Sequence, residues 1–251
     1  MFSNLIRRSA RWLCSGLALT LAAHAQAGIV LNTTRVIYPA TDKEISLQVH
    51  NTGAGEILAQ SWLETDGENV SSDTPPFAIT PALARMQSNA RQLIRIIYSG
   101  EGLPADRESV LWLNVQEIPQ TATENQLQIA IRQRIKLFFR PQGFTEDPLE
   151  AAQALQWQLR DGQLEVSNPG PYHVSMIKLD VRQQGRVLIQ QDSRMLAPRQ
   201  RLRLPLKQTI KAGPVELAFI SINDFGAQES YRANVLGDRT AKARKLESRP
   251  D

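Results

Sequence analysis

The sequence predicts an all-β protein of two immunoglobulin-like β-sandwich domains, and three observations carry that reading. Short segments rich in β-branched and aromatic residues follow one another, many alternating apolar with polar side chains, with turn-forming residues between them. No segment holds a long helical period. The whole pattern also restarts after RPQG (140–143), which reads as a linker. Seven or so short strands before that point indicate one sandwich over 28–141, and the strands after it a smaller one over 142–236.

The elements justify this in order. In the first domain the expected strands are GIVLNTTRVIYPA (28–40), EISLQVHN (44–51), ILAQSWLE (57–64), RQLIRIIYS (91–99), SVLWLNVQEI (109–118) and LQIAIRQRIKLFFR (127–140). NTGAG (51–55), TDGEN (65–69), DTPP (73–76) and SGEGLPADRE (99–108) supply turns between them. EDPLEAAQALQW (146–157) has room for a turn or so of helix. The second domain follows with ALQWQLRDGQLEVSN (154–168), whose Asp161-Gly162 is a hairpin signal, then HVSMIKLDV (173–181), RVLIQQ (186–191), RLRLPL (201–206), VELAFISIND (215–224) and ESYRANVL (229–236). The tail 237–251 has no apolar pattern and is expected to be disordered.

Ahead of these lies a removable address. Arg7, Arg8 and Arg11 form a positive stretch, WLCSGLALTLAA (12–23) an apolar one, and AQA (25–27) a cleavage signal before Gly28. This is a secretory signal peptide over 1–27, cleaved after Ala27 and too short to span a membrane. It carries three of the 29 basic residues and none of the 25 acidic ones, so 26 basic side chains face 25 acidic ones in the mature chain. The basic pI is in part a property of the leader, and no nucleic-acid partner follows from it. The single cysteine, Cys14, leaves with the leader, so an exported protein must hold itself together without disulfides.

Motifs for catalysis are missing. There is no H-E-x-x-H, G-x-S-x-G, G-x-x-x-x-G-K-[ST] or G-x-G-x-x-G, and the mature chain has only His50 and His173 as separated histidines. No metal site, cofactor, small-molecule substrate or enzyme activity is expected. The sequons at Asn32 and Asn69 matter only in a host that glycosylates.

The unusual feature is LQIAIRQRIKLFFRP (127–141). Every second residue is apolar, Gln133 excepted, and Arg132, Arg134, Lys136 and Arg140 occupy the other face. One reading is a central strand with Leu127, Ile129 and Ile131 in the core. The other is an edge strand whose apolar row awaits a partner. Arg132 and Arg134 read as a solvated face.

Several stretches, taken in chain order, resemble the periplasmic pilus chaperones of the chaperone–usher pathway. They are TTRVIYPA (33–40), LPADRESVLWLNVQEIP (103–119), IRQRIKLFFRP (131–141), SNPGPYHV (167–174) and INDFGA (222–227). The resemblance implies two immunoglobulin-like domains set at an angle with a cleft between them. It implies pilin subunits and an outer-membrane usher as partners, and the periplasm as location. It makes Leu127, Ile129 and Ile131 the row lent to a pilin that lacks a strand, a recognition mode known as donor-strand complementation. Arg35 and Lys136 match the two residues that grip the pilin C-terminal carboxylate. Glu108, Arg140 and Asp224 match interdomain ion pairs. The short connection from Pro119 to Gln126 is similar to that of the short-loop class serving rod-like pili. Self-association of the free form is compatible with an unpartnered row. The family often has a disulfide late in the second domain, which this chain cannot form. A secreted adhesive module and an enzyme on an all-β scaffold are the competing classes, and neither gives a reason for the Arg35–Lys136 pair.

Overall fold

The computed structural model describes residues 28–65, 74–120, 128–208, 210 and 213–247. The leader, the Asn69 sequon, the connection ahead of the proposed donor row, Leu127 and residues 248–251 lie outside these.

The first domain comprises β1 (Ile29–Leu31), β2 (Arg35–Pro39), β3 (Ile45–Asn51), β4 (Ile57–Thr65), β5 (Phe77–Thr80), β6 (Leu83–Met86), β7 (Arg91–Tyr98), β8 (Ser109–Pro119) and β9 (Arg132–Arg140). They form two sheets, ordered β1-β3-β7-β5 and β2-β9-β8-β4-β6. Alternation dictates the core between them. Leu111, Leu113 and Val115 of β8, Leu137 and Phe139 of β9, and Val36 and Tyr38 of β2 point inward from one sheet. Ile29, Leu47, Val49, Ile94 and Ile96 meet them from the other. The stretch 28–40 is not one strand but two, in different sheets. At the crossover the Thr33 hydroxyl donates to the Arg35 carbonyl (2.7 Å) and accepts from the Arg35 amide (3.3 Å), so the turning backbone is satisfied locally.

The second domain opens with a 3₁₀ turn at Pro148–Glu150, capped by the Asp147 side chain on the Leu149 amide, and the short helix α1 (Ala151–Ala154). Its strands are β10 (Gln156–Arg160), β11 (Gln163–Ser167), β12 (Val174–Gln183), β13 (Arg186–Leu196), β14 (Arg201–Leu204), β15 (Val215–Ile222), β16 (Gln228–Val235), β17 (Ala241–Lys242) and β18 (Arg244–Lys245). The sheets are β14-β11-β10-β17 and β13-β12-β15-β16-β18. Asp161 and Gly162, both at positive φ, close the two-residue β10–β11 hairpin as their sequence suggests. A separate core gathers around Trp157, Phe219 and Tyr231, with the Phe219 and Tyr231 rings stacked at 5.1 Å.

Two further sequence expectations are corrected. The tail is structured over 237–247: β17 pairs with β10, β18 with β16, and Ala243 between them is buried in the second core. Two-residue strands around one alanine leave no apolar period to read, yet the sheet edges supply their backbone hydrogen bonds. The strand expected over 127–140 is regular only from Arg132, because the preceding described residues leave the sandwich. Ala243→Asp should therefore lower unfolding stability by about 2–4 kcal/mol, since a carboxylate enters an apolar core. Urea denaturation of mutant and parent checks this; coincident curves would mean that the tail contributes no packing.

Candidate functional site in the cleft and along β9

The site begins with strand register. β2 and β9 run parallel, with Arg35 opposite Lys136 and Pro39 opposite Arg140. Val36, Tyr38, Leu137 and Phe139 are turned into the core, so Arg35, Lys136, Phe138 and Arg140 are turned out together. In this way two strands distant in sequence set two cations side by side.

Arg35 is only 9% exposed. Its Nη1 donates to the Ile222 carbonyl of the second domain at 2.8 Å, while its Nε is buried without a hydrogen-bond partner. The guanidinium lies 5.8 Å from the Phe138 ring centroid. Burial pulls its pKa down; Asp224 and Glu108 oppose this and Arg140 adds to it. A desolvated cation with an unused donor favours an arriving anion. Lys136 is half-buried, with Nζ 5.6 Å from the Trp112 ring centroid.

Next to this pair, Arg140 joins the two domains. Its Nε donates to Glu108 Oε1 at 2.8 Å, and Nη1 and Nη2 donate to the two Asp224 carboxylate oxygens at 2.6 and 2.7 Å. The Tyr172 ring lies 5.0 Å from the guanidinium. Burial works against the Arg140 charge, but Asp224 and Glu108 more than compensate and hold its pKa above the ordinary arginine value. Glu108 is 1% exposed, and its other oxygen accepts from the His173 backbone amide and from Nδ1 of the same residue, each at 2.8 Å. The Glu108 amide in turn donates to the Pro171 carbonyl. His173 is thus no isolated histidine; it is the second-domain group that receives Glu108. Only its place directly after SNPGPY hinted at this.

Asp224 sits in a tight turn. Asn223 Oδ1 accepts from the amides of Phe225 and Ala227, and Gly226 has φ +81°. A Cβ at Gly226 would stand 2.7 Å from Thr34 Oγ1. Glycine therefore lets the INDFGA turn press against TTRVIYPA across the junction.

The proposed row lies beyond the regular strand. Ile129 is 66% exposed and Ile131 39%. The last ladder contact is the Glu117 amide donating to the Ile131 carbonyl at 2.9 Å. β2 pairs only with Lys136–Arg140, so among the described residues no strand adjoins β9 on that edge from Arg132 to Ile135. Ile129 and Ile131 are thus outside the core, whereas Leu137 and Phe139 of the same alternating stretch lie within it.

Arg132 and Arg134 are exposed, as the solvated-face reading expects, but each also lies over a tryptophan. Arg134 stacks 4.0 Å from the Trp112 ring centroid with Nε 3.4 Å from Glu64, and Arg132 lies 6.0 Å from the Trp62 centroid and 3.9 Å from Glu64. Neighbouring strands place two tryptophans under the arginines, which one strand's sequence does not reveal. Among the described residues no three His, Cys, Asp or Glu side chains gather to hold a metal.

Comparison with known proteins agrees with this architecture. Residues 28–145 match the family described as pili and flagellar-assembly chaperone, PapD N-terminal domain, and residues 150–233 match pili assembly chaperone PapD, C-terminal domain. The chain is 38% identical over 234 residues to the chaperone protein FimB/FhaD of Bordetella pertussis, covering 89% of this chain and 94% of that protein. It is 36% identical over 240 residues to the probable fimbrial chaperone YadV of Escherichia coli K12, covering 90% and 96%. The crystal structure of the YadV chaperone superimposes with TM-score 0.71 at 37% identity, over 83% of this chain and all of that one. A Salmonella enterica structure, SafA pilin in complex with the SafB chaperone, is also similar, with TM-score 0.66 at 25% identity over 89% and 99%. The chain belongs to the PapD family of pilus-assembly chaperones.

Proposed function

We propose that this chaperone works in the periplasm, captures pilin subunits by donor-strand complementation, and delivers them to an outer-membrane usher. The observation that carries the reading is the juxtaposition of an exposed isoleucine row and an open strand edge with the Arg35–Lys136 pair. In this reading the pilin C-terminal carboxylate lies between the two cations, and the chain leading to it pairs along the free edge of β9. Leu127, Ile129 and Ile131 then enter successive pockets of the pilin, two residues apart as the pleat requires. Each buried aliphatic contributes roughly 1.5–3 kcal/mol before ordering costs. Each charge-assisted bond to the carboxylate contributes about 1.5–3 kcal/mol, and pinning one end fixes the register of the rest.

Support for the pilin as partner comes from relatives whose structures hold a chaperone with a pilin or tip subunit. In this proposal Glu108, Arg140 and Asp224 orient the domains so that the cleft stays open to the carboxylate. The few residues between Pro119 and the row in the sequence support assigning the protein to the chaperones of rod-like pili. In the free form, self-association would cover the same row.

Arg35→Ala or Lys136→Ala should each reduce pilin recovery from periplasm at least tenfold, with circular dichroism and melting curves little changed. Normal recovery in both mutants would end the anchoring role. Ile129→Asp should leave free stability within about 1 kcal/mol, because the position is exposed, while pilin capture collapses as a carboxylate meets an apolar pocket. Melts at two protein concentrations separate this from lost self-association; unchanged capture would remove the donor role. Asp224→Ala should cost about 2–3 kcal/mol, because it strands a mostly buried guanidinium. Scattering profiles should show a loosened domain angle, and profiles superimposable on the parent's would argue against orientation.

A further inference from the structure

Glu117 is the fifth odd-numbered residue of β8 counted from Ser109 and follows Leu111, Leu113 and Val115 on the inward face. It is 8% exposed, and its Oε2 is buried without a hydrogen-bond partner. Burial alone pushes its carboxyl pKa up, with no cation opposing. The group it faces is Gly28. A Cβ built there would stand 1.8 Å from Oε2 and 2.3 Å from Oε1, so the carboxylate presses on the Gly28 α-carbon. Gly28 is buried and fixed: its carbonyl accepts from the Thr52 amide at 2.8 Å, and the next residue begins β1, with Ile29 paired to Asn51.

An unpaired buried carboxylate is costly, and this one has its missing partner one bond away. In the full-length chain the Gly28 nitrogen is a neutral peptide amide. Hydrolysis of the Ala27–Gly28 bond by a leader peptidase leaves a carboxylate on Ala27 and an ammonium, proton included, on Gly28. We propose that Glu117 is the binding site for this new α-ammonium, and that leader removal thereby locks β1 onto the first sandwich. The inference rests on the reading of the leader as cleaved after Ala27. A side chain at 28 would displace the Glu117 carboxylate from this position. The consequence is regulatory. The precursor keeps a buried unpaired charge and stays easier to hold unfolded for export, and full stability arrives with processing.

The test is a two-by-two comparison on the mature protein purified from periplasm, after mass spectrometry of its N-terminus. The α-amine is left free or selectively acetylated, in the parent and in Glu117→Gln, and urea denaturation is measured on all four forms. Acetylation should reduce the folding equilibrium constant of the parent by about tenfold or more, as expected for a lost charge-assisted bond. In Glu117→Gln the same modification should change it less than about twofold. Equal losses in both backgrounds would overturn the pairing. An N-terminus other than Gly28 would overturn the leader reading beneath it. Should Glu117→Gln not fold, the acylation rate of the α-amine in native parent is compared with that in urea. Strong native protection supports the pairing, and equal rates reject it.

Discussion

The in-register parallel pairing of β2 with β9 is the constraint on which the rest depends. Five residue pairs, from Arg35–Lys136 to Pro39–Arg140, divide their side chains between two jobs. One set, Val36, Tyr38, Leu137 and Phe139, closes the first core. The other set turns Arg35, Lys136, Phe138 and Arg140 toward the cleft. A slip of one residue would exchange these faces, placing cations in the core and aromatics in water. The burial of Tyr38 and Phe139, whose rings lie 5.9 Å apart, therefore holds the cation pair in place as firmly as it holds the sandwich.

The two apolar cores are separate, so much of what the domains share is polar. Arg140 binds Glu108 and Asp224, Glu108 receives His173, and Arg35 reaches the Ile222 carbonyl. Phe138 and the His173 ring, 5.8 Å apart, close the same junction. Such a network is a weak source of net stability, because desolvation offsets most of its Coulomb gain, but it is exacting about geometry. In the proposed function that suits a junction that keeps one domain orientation. It also leaves Arg35 dehydrated, with its Nε without a hydrogen-bond partner, a state that the carboxylate of the proposed function would relieve.

The same strand that is strongly stabilised at one end is left unfinished at the other. From Leu137 to Phe139 β9 packs into the core between two neighbours, whereas Ile131 keeps only the last hydrogen bond to β8 and Ile129 lies beyond it, both exposed. Neither isoleucine belongs to the core of the first sandwich. In the proposed function this separation matters, since a row that contributed to the chaperone's own core could not be lent without unfolding it.

Sequence alone determined the fold class, because alternation and turn residues are local signals: the Asp161-Gly162 hairpin, a helical turn within 146–157 and the alternation of β9 were all legible. The cleft residues Arg35, Lys136, Glu108, Arg140 and Asp224 were named through resemblance, not through any local property. Tertiary structure decided what depends on neighbours from elsewhere in the chain. It placed Trp62 and Trp112 beneath Arg132 and Arg134, and His173 against Glu108. It ordered a tail whose strands are too short to show a period. It pressed Glu117 against Gly28, though nothing in either segment names the other. Periodicity tells which face of a strand is apolar, but only the assembled sheets determine what that face meets.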